Sequence, residues 1–221
     1  MDDVLIDIFI GRHPQDLIDL SFKYTQVHRR DFSDISSMTS SAELKKALEI
    51  ISERNRPDFT VLVDRTRVQK DVESIKSTLK MSFPRYEDLF EILLRRSDPH
   101  IHQISLMFAL EQKQNPLDKA IRTNTSLSTM AKNICVHAVR TATHITYRDA
   151  MLLHDAMGSN TVFGSSNNKK LAIRVVRMHY FKQHFHQIKW EYHGVSGKHF
   201  TKQMKQLKEG AFRDLMYAMS A

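Results

Sequence analysis

Val4-Leu5-Ile6-Asp7-Ile8-Phe9-Ile10-Gly11-Arg12 decides the reading of this chain, because it returns twice with its hydrophobic phase intact. It reappears 84 residues on as Asp88-Leu89-Phe90-Glu91-Ile92-Leu93-Leu94-Arg95-Arg96, and 83 residues later, more loosely, as Leu171-Ala172-Ile173-Arg174-Val175-Val176-Arg177. A helical unit recurring at a near-fixed period means one supersecondary module used several times. Functional differences are then sought in the loops where the copies diverge.

Outward from that stretch, helix signals follow one another. Gly11-Arg12-His13-Pro14 ends the first helix and opens the next, Pro14 suiting a first helical turn. The second helix is expected to bury Leu17, Leu20, Phe22 and Tyr24 or their neighbours. A short piece over 32–37 leads to Thr39-Ser40-Ser41, which caps a helix through Leu44, Ala47, Leu48 and Ile51. Residues 53–63 read as a connector docking through its apolar end. The second module places helices at about 64–79, 86–96, 99–113, 116–123 and 126–142. The third places one at 144–157, a Gly/Ser/Asn-rich loop at 158–168, and helices near 169–179, 181–193, 198–207 and 210–219. No segment alternates as a strand would. With only 6 Gly and 5 Pro in 221 residues, the composition agrees with an all-α protein.

The net charge of +8 is unevenly placed: residues 1–164 carry 22 Lys/Arg and 22 Asp/Glu, residues 165–221 carry 11 and 3. An excess concentrated in one module points to an anionic partner, acidic lipid or nucleic acid. The single Cys135, inside Ile134-Cys135-Val136, excludes an internal disulfide and reads as a small buried hydrophobe. No apolar run approaches the roughly 20 residues of a membrane span, and Met1-Asp2-Asp3 is not the basic start of a signal peptide. A cytoplasmic location is expected.

Five short helices per unit, with this wording, resemble the annexin repeat. Leu5-Ile6-Asp7-Ile8-Phe9-Ile10-Gly11-Arg12 is similar to that family's second-helix run, and Asp16-Leu17-Ile18-Asp19-Leu20-Ser21-Phe22-Lys23-Tyr24 to its third helix. Thr39 through Leu48 resembles the start of its fifth helix, and Val61-Leu62-Val63-Asp64 its long connector between repeats two and three. Ile188-Lys189-Trp190-Glu191-Tyr192 and Gly197-Lys198-His199-Phe200 resemble its fourth repeat. The resemblance implies repeat II without its first helix over 1–55, a linker plus repeat III over 56–142, and repeat IV over 143–221. It implies a curved, right-handed superhelical array of five-helix repeats belonging to a longer protein. It also implies non-enzymatic binding to acidic phospholipid, in most members bridged by calcium held in loops between the first and second helices of a repeat.

The calcium chemistry is expected to have decayed. Calcium takes six to eight oxygens with at least one carboxylate. The family supplies these by a Gly-x-Gly-Thr loop that turns carbonyls inward, plus an acid about 40 residues later, as the resemblance implies. Glycine matters there because consecutive carbonyls converge only where a Cβ is absent or φ is positive. In the second module Lys80-Met81-Ser82-Phe83-Pro84-Arg85 has no glycine, and the acidic position falls at Ser126. In the first module Glu43 keeps the acidic position without its loop. In the third, Gly158, Asn160, Gly164 and Glu209 are the weak candidates that remain, so calcium is expected to bind weakly or not at all and no other cofactor is implied.

Direct contact with anionic membrane then falls to the basic module. Lys169, Lys170, Arg174 and Arg177 follow the long loop, Val162 and Phe163 sit at its tip, and Lys198, Lys202, Lys205 and Lys208 are expected on one helix face. His179, His184, His186, His193 and His199 lack metal-ligand spacing; their titration could add charge at low pH. Tyr180, Phe181, Phe185, Trp190 and Tyr192 sit at core spacing, which makes nucleic acid the less favoured partner. A protein-interaction scaffold without lipid binding is the alternative.

Overall fold

A computed structural model describes residues 2–158, 165–179 and 182–220, and every regular element among them is helical. The chain divides into two compact units, Met1–Thr143 and His144–Ala221.

In the first unit, α1 (Asp2–Phe9) and α2 (Pro14–His28) precede a short 3₁₀ helix (Phe32–Met38) and α3 (Ala42–Ser52). Then come α4 (Arg65–Lys80), α5 (Tyr86–Leu93), α6 (Asp98–Glu111), α7 (Leu117–Thr123) and α8 (Thr129–Thr143). Polar side chains fix the starts. His13 accepts the Gln15 N–H before Pro14, Ser41 Oγ accepts from Leu44, and Asp64 accepts from Thr66 and Arg67. Gly11 closes the α1–α2 corner at φ +74°, where a Cβ would sit 2.6–2.8 Å from Thr141 on α8. Leu5, Ile6 and Ile10 pack with Leu44, Leu48, Leu89, Phe90, Leu93, Ile101, Ile104 and Ile134 in one continuous core. Each such fully buried side chain contributes roughly 1.5–3 kcal/mol over its exposed state. Cys135 is wholly buried there, and burial pushes its thiol up, out of reactive range.

The second unit holds α9 (Ile145–Gly158), α10 (Ser165–His179), α11 (Lys182–Ser196), α12 (Phe200–Met204) and α13 (Ala211–Ser220). Its core gathers Leu153, Leu171, Val175, Phe185, Ile188, Tyr192, Phe200, Met204 and Met216. Phe200 meets Tyr192 and Phe185 edge-on, at centroid distances of 5.0 and 6.1 Å.

Several expectations need correction. Trp190 is 77% exposed, because its neighbours Ile188 and Tyr192 fill the core side of α11. Phe22 and Leu62 also face outward, so the connector docks through Val63 alone of its Val61–Val63 run. Helix α10 begins at Ser165, which turns Ser165 to Asn168 from loop into first turn. α12 is only five residues long; Lys205 caps it and Lys208 lies beyond it, so the four lysines do not share one helix.

Candidate ion and lipid site

Between α4 and α5 the chain runs through residues 81–85. Met81 ends α4 in extended conformation, its N–H reaching the Thr78 carbonyl at 3.2 Å. Phe83 is 91% exposed, with Lys80 and Arg85 exposed on either side. The loop leans on the turn between α7 and α8: Asn124 Nδ2 donates to the Leu79 carbonyl at 2.8 Å. The same side chain's Oδ1 accepts from the Ser126 and Leu127 amides at 2.9 and 3.0 Å. One carboxamide therefore seals the corner from both of its ends. A divalent ion here would need free carbonyls and a carboxylate. The Leu79 carbonyl at the end of α4 already accepts one donor, and residues 124–128 (Asn-Thr-Ser-Leu-Ser) offer no carboxylate.

Glu43 is equally committed. Its Oε1 accepts from Ser128 Oγ at 2.7 Å and its Oε2 from Ser41 Oγ at 3.0 Å. Those hydroxyls in turn accept the Ala131 and Leu44 amides, capping α8 and α3. The Ser128 hydrogen bond, then its own backbone N–H and Ser41, hold the carboxyl below the usual carboxylate range. Among the described residues no group of three or more His, Cys, Asp or Glu could hold a metal ion.

In the second unit, Asn160, Val162, Phe163 and Gly164 lie outside the described residues. Gly158 is the exposed last residue of α9, and Glu209 pairs with Arg213 at 3.2 Å. Lys169, Lys198, Lys202 and Lys205 are exposed and Lys170 partly so; the Lys205 ammonium sits 4.8 Å from the Tyr217 ring centre. Two expected surface cations turn inward. Arg174 is buried and donates to the Leu152 carbonyl at 2.6 Å, and Arg177 donates to Asp149 at 3.0 Å.

That second pairing belongs to an ionic centre the sequence reading missed. Asp149 is 4% exposed and receives Arg148 (2.6 and 2.8 Å) and Arg177, with His184 Nε2 at 3.6 Å. Burial alone would raise this carboxyl, but the His184 hydrogen bond and the two guanidinium charges hold it far below the ordinary range. The first unit repeats the arrangement. Asp71 takes Arg96 at 2.7 and 3.1 Å and His100 at 2.9 Å, again one acid from a module's leading helix, one arginine and one histidine. Burial lowers the His100 pKa, against the pull of Asp71. Asp71, Arg96 and His100 thus have counterparts in Asp149, Arg177 and His184, at offsets of 78, 81 and 84 that the repeat register alone does not align. Both centres are saturated by their own partners and read as internal braces.

The fold matches solved structures along the whole chain. Annexin A8, as a point mutant with an intact N-terminus, aligns with a TM-score of 0.85 at 15% identity, covering 100% of this chain and 66% of that one. The fold is annexin-like. Chicken annexin V in complex with Zn²⁺ aligns at a TM-score of 0.81 and 17% identity, covering 100% and 67%. Calcium-bound annexin (Sm)1 aligns at 0.78 and 16%, covering 100% and 64%. The annexin-like chain thus spans about two thirds of the length of the annexins it matches. No protein-family model and no curated protein matches its sequence. No helix of its described residues is long and apolar enough to cross a membrane.

Proposed function

We propose that this chain is a non-enzymatic, peripheral membrane module, part of a longer cytoplasmic protein, that meets acidic phospholipid without a calcium bridge. One observation carries the reading. The loop between α4 and α5 has no glycine and faces a turn without a carboxylate, while Glu43, at the acidic position of the first module, is hydrogen-bonded by Ser128 and Ser41. What remains for a lipid surface is charge and a shallow apolar tip. Lys169, Lys198, Lys202 and Lys205 offer cations on the second unit, each contributing on the order of 1 kcal/mol near an anionic leaflet. On the first unit, exposed Phe83 between Lys80 and Arg85 suits insertion at the headgroup boundary.

Sedimentation with phosphatidylserine vesicles tests this. Binding is expected in chelator, unchanged on adding calcium, and falling as salt rises through the range where the Debye length shrinks below about 10 Å. Binding that appears only with calcium overturns it.

A second reading is supported by Trp190, whose indole stands 77% exposed on α11. Exposed tryptophans are frequent anchors of protein interfaces. A scaffold of that kind gives no vesicle binding under any of these conditions, and a partner whose capture is lost in Trp190→Ala.

A further inference from the structure

The first unit holds a solvent-open cleft of about 790 Å³, with Phe59, Arg65 and Gln103 exposed along it. Its volume lies within the roughly 300–1,000 Å³ of small-molecule sites. The connector supplies Phe59 and Val63, α4 supplies Arg65 and Val68, and α8 ends on it at Ala142. Helix α6 supplies Asp98, Pro99, His102, Gln103 and Met107. The apolar share is therefore an aromatic ring, two valines and a methionine, and the thioether adapts to irregular ligands.

The polar share has one unbalanced cation. Asp98 is paired with Arg56, whose other donors reach the Arg96 and Arg12 carbonyls at 2.8 and 3.4 Å. Arg65, at the first position of α4, pairs with no carboxylate among the described residues. His102 and Gln103 add N–H donors at the same lining. An open cleft with apolar side chains and one exposed guanidinium in its lining fits a monoanion with an apolar tail. The Asp98 carboxylate in the lining disfavours a second negative charge, which argues against a phosphate monoester.

We propose that this cleft binds free long-chain carboxylates, the carboxylate bidentate on Arg65 and hydrogen-bonded by His102 or Gln103, the chain lying over Val68, Met107 and Phe59. The site is independent of the membrane reading.

The test is calorimetric titration of the full chain with decanoate and with decanol. Decanoate is expected to bind saturably at one site, and decanol about tenfold more weakly, the cost of losing one charge-assisted pair. Arg65→Glu should weaken decanoate by at least about tenfold and leave decanol within about twofold. Met107→Trp, which puts an indole where the chain would lie, should weaken both by at least about tenfold. Gln103→Trp, on an exposed position outside the core, should weaken both and serves if the Met107 variant does not fold. No saturable heat with decanoate, equal affinity for acid and alcohol, or indifference to Arg65→Glu or to Gln103→Trp would overturn the proposal.

Discussion

Ser128 Oγ donates to Glu43 Oε1 at 2.7 Å, joining the first turns of α8 and α3 across 85 positions of sequence. The hydroxyl that gives this bond also accepts the Ala131 amide, so one serine caps its own helix and fastens another. The Glu43 carboxylate thus acts as a clasp between two helix starts.

Glu43→Gln keeps the shape and removes the charge. It is expected to lower unfolding free energy by about 1 kcal/mol, the low end for a charged hydrogen bond because the site is partly solvated. The pH sign follows from a folded pKa below the unfolded one. The contribution is complete above the ordinary carboxylate range and is lost as pH falls through it toward the folded value. Urea melts of both proteins between neutral pH and pH 4 should therefore converge on the acid side.

Asn124→Asp sets an acceptor against an acceptor at the Leu79 carbonyl while preserving the cap on Ser126 and Leu127. A loss of about 1–3 kcal/mol is expected, since a buried or half-buried carbonyl is left without its donor. A denaturant midpoint equal to the parent's would show that the amide bond to Leu79 holds nothing.

Gly11→Ala meets two penalties at once: a φ of +74°, and a Cβ overlapping Thr141 at 2.6–2.8 Å. Backbone strain and overpacking together are expected to cost about 2–4 kcal/mol. Adding Thr141→Ala should recover only part of that, because the positive φ remains and the Thr141 hydroxyl's bond to the His137 carbonyl is lost. The measurement is a double-mutant cycle by denaturant unfolding.

Asp149→Asn leaves buried Arg148 and inward-turned Arg177 without their shared counter-charge. Breaking such a pair from one side costs about 3–5 kcal/mol. In the parent this stabilisation is present above the ordinary carboxylate range and erodes only in strong acid, since the folded pKa is held far down. Thermal unfolding followed by circular dichroism at neutral pH reads the loss directly.

Reversing Lys198, Lys202 and Lys205 to glutamate should leave the fold intact, since all three are exposed. Vesicle affinity is expected to drop by at least about 3 kcal/mol, roughly a hundredfold or more, if these cations face the lipid. Unchanged sedimentation on phosphatidylserine would remove them from the interface.

The fold was legible because the hydrophobic phase and the caps point the same way: Asp64, Ser41 and Pro14 start helices where the sequence placed them. The sites were less so. Periodicity identifies a face by its average, and on α11 it swept Trp190 into a core that Ile188 and Tyr192 already fill. Arg174 and Arg177 looked like surface cations because their neutralising groups, the Leu152 carbonyl and Asp149, stand on a different helix. Linear charge counting sees the cation and not its partner. The absence of glycine from the loop after α4 was plain in the sequence. That Asn124 would tie this loop's start to the next turn was not, since an asparagine between Arg122 and Ser126 reads as an ordinary turn residue.

The two Asp-Arg-His braces are each completed within one compact unit, Asp71 inside residues 1–143 and Asp149 inside residues 144–221. Cutting the chain at the 143/144 peptide would therefore orphan neither interior acid. Each fragment would inherit its own self-neutralised lock.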